Sequence, residues 1–294
     1  MINPNSQTIL IAGSSGLLGM HMTPILLEKG FHVKSHALKG NADFNADISN
    51  KDECFELLNK VNPNVILNLV GLTSVELCEE DPDFAYRVNT RSVENIANWI
   101  TTINSNCHLI QISTDQIYDG LGPHNEDSVK IKNTYAFSKY SGELAASSVN
   151  ATILRTNFFG KSKVIKRESI TDWIFNNITN NIPINVFDDV YFSPLSMDTI
   201  CDLMPLIIKL KIPGTFNLCS KNGMTKADFD FFFAKILDLD ITNMTRIKSE
   251  HARQLKAYRP KDMRMEYLKF EKFYGVHLPE LTTEIRRVAI EYKR

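Results

Sequence analysis

The run Thr8–Ala12 is a short apolar strand candidate. It ends in three glycines at fixed spacing, Gly13, Gly16 and Gly19, with a helical pattern opening at Leu17. No other feature of the 294 residues narrows the fold as much. Strand, glycine turn and helix in that order begin a βαβ unit that can hold a pyrophosphate. The first glycine permits the tight turn, the second lets backbone approach the phosphates, and the third lets the helix pack close to the strand. Free N–H groups at the helix start attract negative charge. The expected phosphate cradle is therefore Gly13, Ser15, Gly16, Leu17, Leu18 and Gly19. A glycine turn without a ligand is the plainer alternative.

The pattern continues beyond this turn. Near-continuous apolar runs at Phe31–Leu38, Asn64–Val70, His108–Ser113 and Ala151–Thr156 suit strands covered on both faces. Helical patterns at Leu17–Lys29, Lys51–Val61, Asp83–Ile103 and Tyr135–Ser148 alternate with them, and Asp81 with Pro82 marks a helix start. Alternation of this kind predicts a parallel sheet. After about Asn157 the pattern loosens. Helices are expected at Ser169–Asn180, Ser196–Lys209, Lys226–Leu237 and Leu281–Tyr292, and short strands at Ile184–Phe187 and Thr215–Cys219. The expected architecture is α/β: a doubly wound parallel sheet with a smaller C-terminal α/β lobe and a cleft between them. The domains divide as 1–157 and 158–294, with some later segments returning to the first.

Composition excludes several classes. Lys and Arg total 33 against 34 Asp and Glu, so nothing favours a nucleic-acid partner. The basic stretch Lys161, Lys163, Lys166, Arg167 is a solvated loop or a diphosphate contact. Five cysteines, Cys54, Cys78, Cys107, Cys201 and Cys219, form no CxxC pair and no zinc spacing. Free thiols and a cytoplasmic location are expected, without a bound metal. Apolar runs are only strand-length, so no membrane span is expected.

An acid usually ends the second strand of an NAD site, about twenty residues past the glycines. Here the stretch reads His32-Val33-Lys34-Ser35-His36-Ala37-Leu38-Lys39, and the nearest acid is Asp43. His36 and Lys39 can instead meet a 2′-phosphate, which favours NADPH over NADH. Solvated side chains are an equal reading. Asp47, with Ile48 beside it, can accept from an adenine amino group, or cap the helix that begins near Lys51.

Ser113-Thr114-Asp115 closes a strand candidate. Twenty-one residues after Thr114 come Tyr135 and Lys139, one helical turn apart on one face. A free phenol has a pKa of roughly 10, and a nearby ammonium lowers it. Tyr135 can then protonate a carbonyl oxygen as hydride arrives at its carbon. Lys139 can hold the nicotinamide ribose, and Thr114 can donate to the same oxygen. Alone, a YxxxK pair is more often structural. The glycine turn, the strand-ending Ser-Thr-Asp and the Tyr/Lys pair in this order change that balance.

With these pieces in order, the chain resembles the extended short-chain dehydrogenase/reductases, and within them the dTDP-4-dehydrorhamnose reductase family. The resemblance covers nearly the whole sequence: Asn68-Leu69-Val70-Gly71, Thr73-Ser74-Val75-Glu76, Ala85 to Asn89, Ser113 to Gly120, Asn133 to Glu143, Leu154 to Gly160, and Arg259-Pro260-Lys261-Asp262. It implies a Rossmann-like first domain and a C-terminal lobe that grips a nucleotide sugar. The implied activity is reduction of a 4-keto group with NADPH or NADH. Thr114, Tyr135 and Lys139 take the catalytic positions. Val70, Gly71 and Asn89 join the cofactor side. Thr73, Val75, Thr114, Asp115, Phe158 and Arg259 form the substrate side, an arginine being suited to paired bonds with phosphate oxygens. Apart from the resemblance, a surface ion pair is an equal reading of Arg259, and core packing is the better one for Phe158 and Val75. Family members often pair through helices, which makes a homodimer an expectation, though no seam is legible.

Three departures lie on the substrate side. Phe158 stands where the family has tryptophan, Leu77 where it has lysine, and Phe192-Ser193-Pro194-Leu195 where it has GxPT. The reductase reading is therefore firmer than the identity of the sugar. A sugar-nucleotide epimerase with bound NAD is the nearest alternative. A non-catalytic nucleotide-binding subunit, like the regulatory β subunit of methionine adenosyltransferase, is the alternative from another class.

Overall fold

The computed structural model describes residues 7–165, 167–252 and 255–293. In chain order the first elements are β1 (Thr8–Ala12), α1 (Leu17–Glu28), β2 (His32–Ala37), β3 (Phe44–Asn45), α2 (Lys51–Val61), β4 (Val65–Asn68), α3 (Val75–Glu80) and α4 (Pro82–Tyr86). A π-helical turn (Arg87–Arg91) leads into α5 (Ser92–Thr102), β5 (His108–Thr114), α6 (Thr134–Ala146) and β6 (Ala151–Thr156). Then come β7 (Phe158–Phe159), α7 (Ile170–Thr179), β8 (Ile184–Phe187), β9 (Tyr191–Phe192), β10 (Leu195–Ser196), α8 (Met197–Leu210), β11 (Gly214–Asn217), β12 (Met224–Thr225), α9 (Lys226–Ile236), β13 (Met244–Ile247), α10 (Leu268–Tyr274) and α11 (Leu281–Tyr292).

The chain forms two compact units that interleave in sequence. Unit 1 takes Met1–Thr114, Asn133–Arg155 and Cys201–Phe216, and unit 2 takes Asp115–Lys132, Thr156–Ile200 and Asn217–Arg294. Unit 1 carries a seven-stranded sheet in the order β11-β6-β5-β4-β1-β2-β3. The pairs β1–β2, β1–β4, β2–β3 and β4–β5 are parallel. This is the Rossmann-like, doubly wound arrangement that the strand–helix alternation predicts.

Both faces of the sheet are covered, as its unbroken apolar strands require. On one face Leu10, Ala12, Ile66, Leu109 and Ile153 pack with Leu57 and Leu58 of α2 and Ile96, Trp99 and Ile100 of α5. The residues of opposite parity, Ile9, Ile11, Leu67 and Ile110, are equally buried. Complete burial of one such side chain contributes about 1.5–3 kcal/mol.

The predicted helix Asp83–Ile103 is not continuous. Asp81 caps α4, accepting from the Phe84 N–H at 2.9 Å, with Pro82 in the first turn. Five residues then take the π form before the α pattern resumes. The interruption is tied to Asn89, whose buried amide is committed to partners outside the helix.

Unit 2 has its own core. Phe229 meets Phe159 and Phe192 edge-on, at 4.8 and 5.4 Å between ring centroids. Ile174, Phe233, Leu281, Ile285 and Val288 close around them. Its strands are short pairs: β7 with β10, β9 with β12, and β8 with β13. Ser169 starts α7 through a capping box with Asp172.

Candidate active site

In an open parallel sheet the carboxyl ends of the strands carry the ligand. In unit 1 the ends of β1 and β4 are set in register, Ala12 beside Asn68, with Asn68 beside Gln111 inside β5. Each end is fixed by hydrogen bonds. The N–H groups of Gly13 and Ser14 both donate to the His36 carbonyl at 2.9 Å. Gly13 has φ +85°, and a Cβ there would stand 3.0 Å from the Val70 nitrogen. A Cβ on Gly19 would lie 2.5 Å from the Gly13 carbonyl oxygen, so only glycine lets α1 come this close to the turn. Gly16 is the α1 N-cap and makes no side-chain cap bond, and the first turn holds no acidic residue. Leu18 is buried, Leu17 half-buried and Ser15 exposed.

Asn68 closes the β4 end, donating to Gln111 Oε1 at 2.7 Å and accepting from the Val70 N–H at 3.1 Å. Asn89 accepts from the Leu72 N–H at 2.8 Å and donates to the Leu72 carbonyl at 3.1 Å and Ser138 Oγ at 2.9 Å. A Cβ on Gly71 would stand 3.4 Å from Asn89 Oδ1 and 3.6 Å from Lys139 Nζ. The structure thus brings Val70, Gly71, Asn89 and Lys139 together.

Helix α6 carries the Tyr/Lys pair. Asn133 caps it, accepting from the Ala136 N–H at 2.8 Å. Tyr135 and Lys139 are 7% and 6% exposed. The Lys139 ammonium donates to the Ile112 carbonyl on β5 at 2.8 Å. Burial brings its pKa down to about 8, against the pull of Glu143. Glu143, one turn further, is itself buried. It accepts from Ser113 Oγ and forms an ion pair with Arg155 at 2.6 Å. Three charged side chains thus lie in or against the helix that carries the phenol, each with a partner. Thr114 is buried at the end of β5.

The residues expected near the adenine are simpler to place. His36 is 1% exposed, its Nε2 lies 3.0 Å from the Ala46 carbonyl oxygen, and burial holds its ring below the usual imidazole value. Lys39 is exposed. Asp43 is bound to β2: its carboxylate accepts from the Ser35 N–H and hydroxyl at 2.8 and 2.9 Å, and the first of these bonds does most to lower its pKa. Asp47 does not cap α2. Asn50 does, accepting from the N–H groups of Asp52 and Glu53, while Asp47 turns onto Ser49. Ile48 is buried beneath it.

Of the residues expected on the substrate side, those in unit 1 are Thr73, which is exposed, and Val75, which is buried at the first turn of α3. In unit 2, Asp115 is 1% exposed and accepts from Asn157 Nδ2 at 2.8 Å. Phe158 and Arg259 are half-buried. Asp119 holds the segment around Arg259, accepting from the Lys261 N–H at 2.8 Å and the Tyr258 hydroxyl at 3.3 Å. In the basic stretch, Lys161 donates to the Glu291 carbonyl at 2.9 Å and covers the Tyr292 ring, and Lys166 lies outside the described residues.

Sequence reasoning missed Ser138, the Ser113–Glu143–Arg155 network and Asp119. The motifs around Tyr135 and Arg155 contain some of these residues, but a pattern of letters does not say that Glu143 and Arg155 meet. The five cysteines are unpaired and buried. Among the described residues no three His, Cys, Asp or Glu side chains group as a metal site, and no helix is long and apolar enough to cross a membrane.

Comparison with known proteins adds the family. The profile of the RmlD substrate binding domain matches residues 7–294. A dTDP-4-dehydrorhamnose reductase of Aggregatibacter actinomycetemcomitans is 36% identical over 160 residues, a match that spans 52% of this chain and 52% of that relative. The dTDP-4-dehydrorhamnose reductase of Salmonella typhimurium strain LT2 is 24% identical over 300 residues, 97% of this chain and 98% of the relative. The crystal structure of dTDP-4-dehydrorhamnose reductase from Bacillus anthracis strain Ames in complex with NADP superposes with a TM-score of 0.85 at 21% identity, covering 97% of this chain and 99% of that one. With its matched profile running through both units, the chain belongs to the RmlD substrate binding domain family.

Proposed function

We propose that this chain is an NAD(P)H-dependent oxidoreductase that reduces the C4 keto group of a nucleotide-linked deoxysugar. The observation that carries this reading is the buried Tyr135/Lys139 pair, with the ammonium fixed on the Ile112 carbonyl and set beside Gly71 and Asn89. The glycine turn suits a pyrophosphate, because α1 starts without a side-chain cap or an acid in its first turn. Gly13, Ser15, Gly16, Leu17, Leu18 and Gly19 would hold the phosphates, Ile48 and Asp47 the adenine, and Val70, Gly71, Asn89 and Lys139 the nicotinamide half. Lys39 is exposed past β2 and Asp43 is engaged by Ser35, which favours a 2′-phosphate over a free ribose hydroxyl and hence NADPH over NADH.

A nicotinamide cofactor, when bound, would supply the hydride that the keto carbon takes. Tyr135 gives the keto oxygen a proton as negative charge develops there. Lys139 favours the resulting phenolate. Thr114 donates a hydrogen bond to the same oxygen. Val75, Thr73, Asp115, Phe158 and Arg259 are assigned to the sugar nucleotide. A cytoplasmic enzyme that pairs with a second copy and binds neither membrane nor nucleic acid completes the reading, supported by unpaired thiols and balanced charge.

The test is NADPH oxidation, followed by absorbance, against a panel of 4-keto nucleotide sugars. Turnover with one member is the expected result. No turnover, with NAD carried through gel filtration, would replace the reductase by an epimerase. No turnover with a stoichiometric protein partner would replace it by a regulatory subunit.

A further inference from the structure

Unit 2 gathers two cations at one end of strand β9. On one side of β9 lies β12, antiparallel, with Thr225 opposite Tyr191. On the other lies the segment 261–263, where Asp262 bridges Tyr191 in parallel and the Tyr191 N–H donates to the Lys261 carbonyl at 2.8 Å. These directions bring two distant parts of the sequence to the same place. Beyond Thr225 the chain runs toward Val190, whose carbonyl accepts from the Lys226 N–H at 2.8 Å. The segment preceding Lys261 approaches from that same end, and it carries Arg259. Backbones on either side of a shared strand stand about 10 Å apart, a gap that long lysine and arginine side chains span. The two positive charges act on each other.

Lys226 is half-buried, with its ammonium 5.8 Å from the centre of the Phe192 ring. It is also the first residue of α9, eleven residues long, so its ammonium adds to the positive end of a helix. One turn on, Asp230 is 3% exposed, and its Oδ1 has no hydrogen-bond partner. Burial raises its pKa to about 8, which weakens the negative charge it sets against Lys226. Asp115 is the other carboxylate that acts on Lys226, and it already accepts from Asn157. Two cations and a helix N-terminus, partly withdrawn from water beside one carboxylate already bonded to Asn157 and one weakened by burial, form a setting that an anion stabilises.

We propose that Lys226 joins Arg259 in a two-cation subsite for the diphosphate of the sugar nucleotide. Arg259 makes paired hydrogen bonds and Lys226 a point-charge contact on the same group. The assignment rests on the sugar-nucleotide reading above, and it makes Lys226 a substrate-binding residue.

Calorimetric titration of the full chain with dTDP and with UDP tests it, with NADPH binding as the check on folding. Lys226→Met should weaken the nucleoside diphosphates about tenfold, Lys226→Arg should stay within about threefold of wild type, and NADPH affinity should hold in both. Should the methionine variant fold poorly, Lys226→Gln asks the same question. Wild-type affinity for dTDP and UDP in a folded Lys226→Met variant would overturn the proposal, as would a wild-type chain that binds neither nucleotide. Unchanged nucleotide affinity with a raised KM for the whole keto sugar would move Lys226 to the sugar and also overturn it. A chain that binds dTDP through Lys226 yet reduces no keto sugar would sink the reductase reading and leave the subsite standing.

Discussion

In unit 1 the groups assigned to the cofactor are held by main chain. Gly13 and Ser14 hang from the His36 carbonyl, Asn89 is clamped to both polar groups of Leu72, and the Lys139 ammonium rests on the carbonyl of Ile112. In unit 2 the groups assigned to the substrate's diphosphate are charged side chains: Lys226 after a two-residue strand, and Arg259 on a loop tied down by Asp119. Main-chain atoms offer the same donors whatever the residue, so a site built from them is rigid and general. A site built from side-chain charge changes with each substitution. If the proposed assignment holds, unit 1 carries the chemistry common to such enzymes, while unit 2 is where a chain of this kind can differ in what it accepts.

Substitutions can break or sharpen that contrast. The largest effect belongs to Tyr135→Phe, which removes the proposed proton donor and leaves the helix intact. The turnover rate should fall by about 10³-fold or more, with NADPH affinity within about twofold. Near-wild-type turnover would remove Tyr135 from the mechanism. Next is Glu143→Gln, which removes the carboxylate charge that pairs with the buried Arg155. Breaking a buried pair from one side costs about 3–5 kcal/mol, to be read from urea unfolding. A loss under about 1 kcal/mol would mean that unit 1 does not depend on this network.

A smaller effect is the pH dependence set by Lys139. Its folded pKa of about 8 lies below the unfolded value, so between the two the unfolded chain holds the extra proton. The stability of the cofactor-free protein, relative to Lys139→Met, should rise as pH increases from about 8 toward the ordinary lysine range. A flat difference would mean the ammonium is better solvated than its surroundings indicate. Smallest is Lys39→Ala, which should raise the KM for NADPH about tenfold and leave that for NADH nearly unchanged. Equal effects on both would take the 2′-phosphate away from Lys39.

What could be read from the sequence follows the same division. The central strands were legible because burial on both faces leaves unbroken apolar runs, as in Val65–Asn68 and Ala151–Thr156. The glycine turn was legible because the backbone there tolerates no other residue at Gly13 or Gly19. Two-residue strands such as β9 and β12 have no periodicity to detect, so the arrangement that places Lys226 near Arg259 was invisible. Lys226 itself reads as a solvated lysine at a helix start. Glu143 and Arg155 each look like surface charges until the fold turns them toward each other. His36 and Lys39 are three residues apart and read alike, yet β2 turns one inward and leaves the other in solvent.

The π turn at Arg87–Arg91 has a consequence for how this helix can vary. A π turn holds one residue more than the α ladder around it. That extra residue lets Asn89 face Leu72 and Ser138 while Ile96, Trp99 and Ile100, further along, still face the sheet. Deleting a single residue there would close the wide turn into a regular α turn and leave the tryptophan face on the sheet. Side chains inside the turn would shift instead, and Asn89 would lose its place opposite Leu72 and Ser138. The length of this stretch is therefore set by the asparagine and not by the face that packs on the sheet.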